Sequence, residues 1–476
     1  MSSIPLLRKI PGDYGIPFFG PLKDRWNYFY NEGEANFFKN RREKYQSTIF
    51  RSNMPPGPFI VSNSNVIVLL DALSFPILFD TTKVEKKNLL DGTFMPYTSF
   101  YGGYRVCAFL DPSESTHPKL KKLFFSLLSS LHTKTIPLFT EKSSQLFDNL
   151  ESELSKKQSV NFNLLCDSMS FEYVFELYFN KNPKETEISS SGESTIIKWI
   201  VLQVAPLATL GLPSFIEDLL FHTFRLPFFP VKSGYKKIYD VIYKSAASLL
   251  DEAEKLGLSR DEACHNLVFM FGFNSYGAMK RQFSALIKWI GISGEKLHKQ
   301  LRDEIRCVIS SPAKLTFADL EKMPLNKSVA YEALRIEPPV PYQYATAKED
   351  LIIENHEAAF EVKKGEVLFG YQPFATKDPK VFENPEEFIA DRFVGEEGEK
   401  LLEYVYWSND RETVTPRVGN KQCPAKDLVV LWSRLMVVHF FSRYDTFTLE
   451  YSNSFLGSSV KLTSLTKAKV DPLNGV

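Results

Sequence analysis

Val418-Gly419-Asn420-Lys421-Gln422-Cys423-Pro424-Ala425-Lys426-Asp427 leads directly into an apolar run, Leu428 to Phe441, that reads as a helix. Cys423 therefore sits at a helix mouth, where unpaired N–H groups and the helix dipole stabilise a thiolate. About ninety residues upstream, Glu332-x-x-Arg335 places an acid and a base on one helical face. Taken alone, such a pair is most simply a surface ion pair worth well under a kcal/mol. Asp391-Arg392-Phe393 stands between the two elements and supplies a second base. The three together are specific, whereas a lone cysteine before a helix is not.

The chain has 476 residues, 44% hydrophobic and 24% charged, enough to bury a large core. No Gly/Ser linker, repeat or charge block divides it, so residues 1–476 read as a single α-rich domain. Lys+Arg and Asp+Glu both number 57, so no net field steers the chain toward nucleic acid. The five cysteines, Cys107, Cys166, Cys264, Cys307 and Cys423, are scattered. With no C-x-x-C, H-E-x-x-H or P-loop, zinc and nucleotide readings have no support. The first four cysteines read as buried small apolar residues of a reducing compartment.

Residues 1–25 carry Pro, Gly and charge and lack the apolar stretch of a signal peptide or anchor. They also lack the Ser/Arg-rich, acid-poor character of a transit peptide, so the expected location is cytoplasmic or peripheral to a membrane. The longest uncharged run, Trp199 to Ile216, is broken by Pro206, Gly211 and Pro213, which argues against a spanning helix. With Phe221, Phe224, Leu226, Phe228 and Phe229 after it, the run reads as core or channel wall in preference to monotopic membrane contact.

Helical spacing dominates the middle of the chain. Leu120, Leu123, Phe124, Leu127, Leu128 and Leu131 form one amphipathic stripe, and Leu297, Leu301, Ile305, Val308 and Ile309 another. Residues 327–336 predict a third helix, stopped by Pro338-Pro339. Extended stretches are expected at Thr48 to Arg51, Phe59 to Ser62, Asp350 to Glu354 and Glu366 to Tyr371.

The cysteine loop, the Glu-x-x-Arg helix and the Arg392 element, at this spacing, resemble the cytochrome P-450 superfamily. The resemblance implies a mainly α fold with a minor β portion, and haem b held by Cys423 as axial thiolate, whose electron donation favours O–O cleavage. It also implies an internal ion-pair network of Glu332, Arg335 and Arg392 beneath the haem loop. Monooxygenases of that superfamily deliver protons to dioxygen through an acid–threonine pair on the central helix. Here the corresponding stretch, Leu267 to Lys280, has no Asp, Glu or Thr; its polar centre is Asn274. An amide can hydrogen-bond a peroxide oxygen but cannot relay protons as an acid does. Taken alone, Asn274 could equally be a helix–helix polar contact.

The chain further resembles a plant branch of the superfamily: allene oxide synthases, hydroperoxide lyases, divinyl ether synthases and epoxyalcohol synthases. The resemblance runs from Ile10-Pro11-Gly12-Asp13-Tyr14-Gly15 through Gly102-Gly103-Tyr104-Arg105, Phe273-Asn274-Ser275-Tyr276-Gly277 and Gly370-Tyr371-Gln372-Pro373-Phe374 to Asn420-Lys421-Gln422-Cys423. It implies action on polyunsaturated C18 fatty-acid hydroperoxides without dioxygen, NADPH or a reductase. By similarity, Cys423 and Asn274 are catalytic, and Lys86, His117, Lys121 and Lys421 hold the haem propionates. Leu89, Leu90, Phe94, Ala108, Phe273 and Phe374 are then expected around the lipid chain.

Two departures bear on the product. Allene oxide synthases carry phenylalanine two residues before a Gly-Thr and serine at a second position. This chain has Leu90 before Gly92-Thr93, and Ala108. Losing the ring removes a face that favours an electron-deficient intermediate. Dehydration to a divinyl ether is therefore expected first, then allene oxide formation, then chain scission or epoxyalcohol formation. Ala425 replaces the glycine usual two residues after the cysteine, and Pro416 an upstream phenylalanine. An ordinary monooxygenase, and an inactive haem or lipid carrier, are the competing readings.

Overall fold

The computed structural model describes residues 6–90, 94–454 and 457–468; Gly92 and Thr93, quoted above, lie outside them. The chain is mainly helical, with 53% helix against 13% strand. The Leu120 stripe forms the helix Thr116–Ser129, buried along Leu120, Leu123, Phe124 and Leu127. The third expected helix is Pro324–Ile336, which opens on proline and stops two residues before Pro338.

The central and Leu297 stripes belong to one long rod. Arg260–Phe269 is α-helical, Met270–Tyr276 is π-helical, and Gly277–Val308 resumes the α-helix. Gly294 breaks the last segment with φ 74°, a left-handed conformation natural to glycine. The Leu297 stripe is thus the arm beyond that kink.

Five strands form the principal sheet, in the order Ile49–Asn53, Asn65–Leu69, Val367–Tyr371, Tyr342–Ala347, Val84–Glu85. The Asn65 and Val367 strands pair in parallel and the other neighbours antiparallel. Gly370 is required there: a Cβ would lie 2.4 Å from side-chain atoms of both Leu78 and Phe75. The stretch Phe59 to Ser62 is a turn rather than a strand, because Ile60 and Val61 both donate to the Gly57 carbonyl. The strand lies instead at Asn65–Leu69. A hairpin, Tyr444–Ser454 with Gly457–Lys467, packs on the rod near the C-terminus.

The uncharged run divides in two. Trp199, Gln203, Leu207 and Ala208 are buried, but Leu210, Leu212, Phe215 and Ile216 are exposed. The core reading holds only for the first half. All five cysteines are free thiols; Cys166 and Cys264 are buried, Cys107 partly, and Cys307 is exposed, correcting its expected burial. Cys307 closes the solvent side of the kinked rod, one residue from its end. Among the described residues no helix is long and apolar enough to cross a membrane.

Candidate active site

Cys423 lies three residues before the helix Lys426–Arg443, and its N–H donates to the Ser408 carbonyl at 3.1 Å. Burial pushes its thiol up, opposed by the Ala425 N–H and by the Lys121 and Lys426 charges. Ala425 has φ −102°, so replacing the usual glycine brings no backbone strain here.

Beneath the loop, Glu332 and Arg335 are both 0% exposed, far from the surface pair that the motif alone would suggest. Arg335 grips Glu332 with two bonds of 2.7 Å, and Arg392 adds two of 3.0 and 3.1 Å. The remaining guanidinium donors of Arg335 bond the Thr376, Pro385 and Glu387 carbonyls. Arg392 reaches those of Glu383 and Asn384. One carboxylate therefore fastens the helix to the irregular chain that precedes the cysteine loop.

On the opposite side, three segments converge. Asn88 donates to the Phe109 carbonyl at 2.9 Å, and the Cys107 N–H to the Asn266 side chain at 2.8 Å. Lys421 bonds the carbonyls of Cys107, Ala108 and Leu110. These contacts bring Leu90, Ala108 and the rod together: Leu90, Ala108 and Phe273 pack on the main core, and Leu90 also joins Phe94, Ile60, Val61 and Leu207. Leu89 and Phe374 do not join them. Both pack on the sheet's aromatic cluster, where Phe374 meets Tyr371 at 5.5 Å and Phe38 at 6.4 Å. Asn274 is exposed on the π-helical segment, and its side chain makes no hydrogen bond among the described residues.

The cytochrome P450 family profile matches residues 294–428, from the kink to the start of the last helix. Allene oxide synthase 1, chloroplastic, of Solanum lycopersicum is 56% identical over 462 residues, 97% of this chain and 86% of that protein. Allene oxide synthase CYP74A2 of Parthenium argentatum is 53% identical over 98% of this chain and 99% of its own length. The chloroplastic allene oxide synthase of Arabidopsis thaliana is 52% identical over 97% and 89%. The chain belongs to the cytochrome P450 superfamily, in the branch that holds the allene oxide synthases.

The P450 fold implies haem-thiolate chemistry, and the residues present fit that group. Lys86, His117 and Lys121 are buried and Lys421 partly so, yet none forms an ion pair among the described residues. Lys86 reaches only the Asn409 side chain; Lys121 reaches the Asn420 carbonyl and, at 2.9 Å, its side-chain oxygen. His117 Nδ1 is buried without a partner. Burial, then the Lys421 charge, holds Lys86 down at about 7. Burial and the Lys421 and Lys121 charges hold His117 at about 3, and burial takes Lys121 to about 8. Two buried lysines in no ion pair, with a neutral imidazole beside them, suit two propionates, although the Asp111, Asp410 and Glu114 charges also act on the set.

A pH dependence follows for protein prepared without haem. Unfolded lysine stays protonated up to about pH 10.5, whereas folded Lys86 and Lys121 release protons from about 7 and 8. Between those values the unfolded chain binds more protons, so stability rises with pH across that window. Haem carboxylates would raise both folded values and flatten the rise. Urea unfolding at pH 7 and at about pH 9.5, with and without haem, measures this.

Sequence reasoning missed several supports of the site. Arg105 bonds Asn88 at 2.9 Å and also pairs with Glu114; Asn420 clamps Lys121; Asn266 holds Cys107. None has a local signal, since most of these partners are far apart in the chain.

Proposed function

We propose that this chain is a haem-thiolate enzyme that dehydrates polyunsaturated C18 fatty-acid hydroperoxides, using neither dioxygen nor a reductase. The observation behind this reading is the rod at Asn274. An exposed, unengaged amide stands where a monooxygenase needs an acid and an alcohol, and the adjacent Ser275 hydroxyl is already bonded to Tyr178. A hydroperoxide arrives with its O–O bond made, and its dehydration balances without external electrons: the products are one unsaturated oxide and one water. When bound, the haem supplies O–O cleavage. The chain's own part is to orient the distal peroxide oxygen through Asn274, and to surround the lipid with Leu90, Phe94, Ala108 and Phe273.

For the product, the relatives named above support an allene oxide over the divinyl ether expected from the sequence. The divinyl ether remains the second reading because Leu90 and Ala108, both half-buried, stand where allene oxide synthases carry phenylalanine and serine. Mass spectrometry of products from purified enzyme given 9- and 13-hydroperoxides, without NADPH and under argon, tests the reading. Absence of turnover there would overturn it. Leu90→Phe is expected to raise the allene oxide share, read as its ketol hydrolysis products, relative to any divinyl ether.

We also propose contact with a lipid surface. The helix Ser214–Phe221 is inverted: Glu217 is buried, accepting the Leu210 and Leu212 N–H groups at 2.9 Å, while Phe215 is 73% exposed. Asp218 is turned onto Arg25 at 2.5 Å, which ties this helix to the helix Phe19–Trp26. Phe18, Phe19, Phe59, Leu219, Leu220, Phe224 and Phe229 extend the apolar face. Arg225 links it to the pocket, lying over Phe94 and bonding the Ile60 carbonyl. An apolar outer face with its acids turned inward matches a bilayer interface. The protein is expected to float with zwitterionic vesicles, and Phe215→Ser/Leu219→Ser to remain in the aqueous fraction with its haem spectrum unchanged.

A further inference from the structure

The π-helical segment Met270–Tyr276 is held from one side by the helix Phe162–Phe179. Phe171, Phe175 and Phe179 surround Phe271 with ring centroids 5.3, 5.3 and 5.9 Å away. Four residues on, Ser275 Oγ lies 2.8 Å from the Tyr178 hydroxyl, with both side chains buried. Gly272 is pressed against Ile196: a Cβ there would stand 2.8 Å from its terminal methyl. Asn274 alone among the segment's residues is exposed.

A π-helical turn holds one residue more than an α turn, so the direction of each side chain depends on where the extra residue sits. Apolar packing at Phe271 resists separation but tolerates sliding. The Tyr178–Ser275 hydrogen bond is directional and specifies one register. Tyr178 also lies close enough to Cys423 for the sulfur's charge to act on its hydroxyl. Tyr178 itself is spoken for and buried, so it reaches Asn274's chemistry only through the backbone of Ser275.

We propose that Tyr178, through Ser275, is a positioning residue that pins the register of the π-helical segment and so fixes the Asn274 amide. This rests on the function proposed above, in which Asn274 orients the peroxide. Tyr178→Phe and Ser275→Ala delete the bond while leaving shape nearly unchanged. Each is expected to lower kcat about tenfold, with KM within about twofold, the rate equivalent of one well-made hydrogen bond. The two losses are expected not to add in the double variant, nor to add to that of Asn274→Gln. Ser275→Thr, which keeps the hydroxyl, is expected to restore most of kcat.

Hydrogen exchange of the holoenzyme supplies a readout independent of turnover. In Tyr178→Phe, peptides spanning residues 270–276 are expected to exchange several-fold faster, with the Soret band and the exchange of residues 324–336 unchanged. Unchanged exchange in that segment, or losses that add to Asn274→Gln, would overturn the proposal. Wild-type enzyme that fails to consume hydroperoxide, with faster exchange still seen in Tyr178→Phe, would instead overturn the function and leave the register pin standing.

Discussion

Glu332→Ala is expected to destabilise the protein by about 3–5 kcal/mol and to lose haem in parallel, because it strands two arginines in the interior. Glu332 and Arg335 are wholly buried, and the carboxylate receives four charge-assisted bonds from Arg335 and Arg392 and one more from the Ile389 N–H at 2.9 Å. Arg335 would keep its carbonyl partners at Thr376, Pro385 and Glu387 but lose its counter-ion. Ile389 and Arg392 would lose their tie to the helix Pro324–Ile336, and the cysteine loop follows them in the chain. Urea unfolding together with the haem-to-protein ratio checks both parts. Haem retained at full occupancy in a destabilised variant would show that the network supports the fold without supporting the loop.

Cys423→Ala is expected to remove the thiolate-type Soret band and reduce hydroperoxide consumption to background, while far-UV circular dichroism stays near that of the parent. Its backbone bond to Ser408 survives the substitution, and only a small side chain is lost from packing. The effect is chemical rather than architectural, which separates it from Glu332→Ala. Absorbance spectra of the two purified variants make that contrast directly. Normal haem binding by Cys423→Ala would remove the basis for the thiolate assignment.

Much of the scaffold was legible because helix periodicity is a local signal. The Leu120 stripe, the helix stopped at Pro338 and the last helix all lie where spacing and proline placed them. The misplaced strand at Phe59 to Ser62 shows where that locality ends: a run of three apolar residues suits a turn as well as a strand, and Gly57 decided for the turn. The exposed face of Ser214–Phe221 was hidden for a related reason. Apolar residues in sequence read as core, and only Glu217 and Asp218, turned inward against Leu210, Leu212 and Arg25, reveal the inversion.

From the residues alone came the superfamily, the acid of the buried network, and the proposals of a sulfur donor at Cys423 and of an amide in place of a proton relay at Asn274, since each is a matter of residue type at a set spacing. Folding in three dimensions decided the rest: that Lys86, His117 and Lys121 are buried with no ion pair among the described residues, that Leu90 packs with Phe94 while Leu89 and Phe374 pack on the sheet's aromatic cluster, and that a π-helical turn exposes Asn274. These depend on partners as distant as Lys86 and Asn409, 323 residues apart, or Tyr178 and Ser275, 97 apart. Burial, desolvation and hydrogen-bond direction arise only when such segments meet, and no local pattern of side chains encodes them.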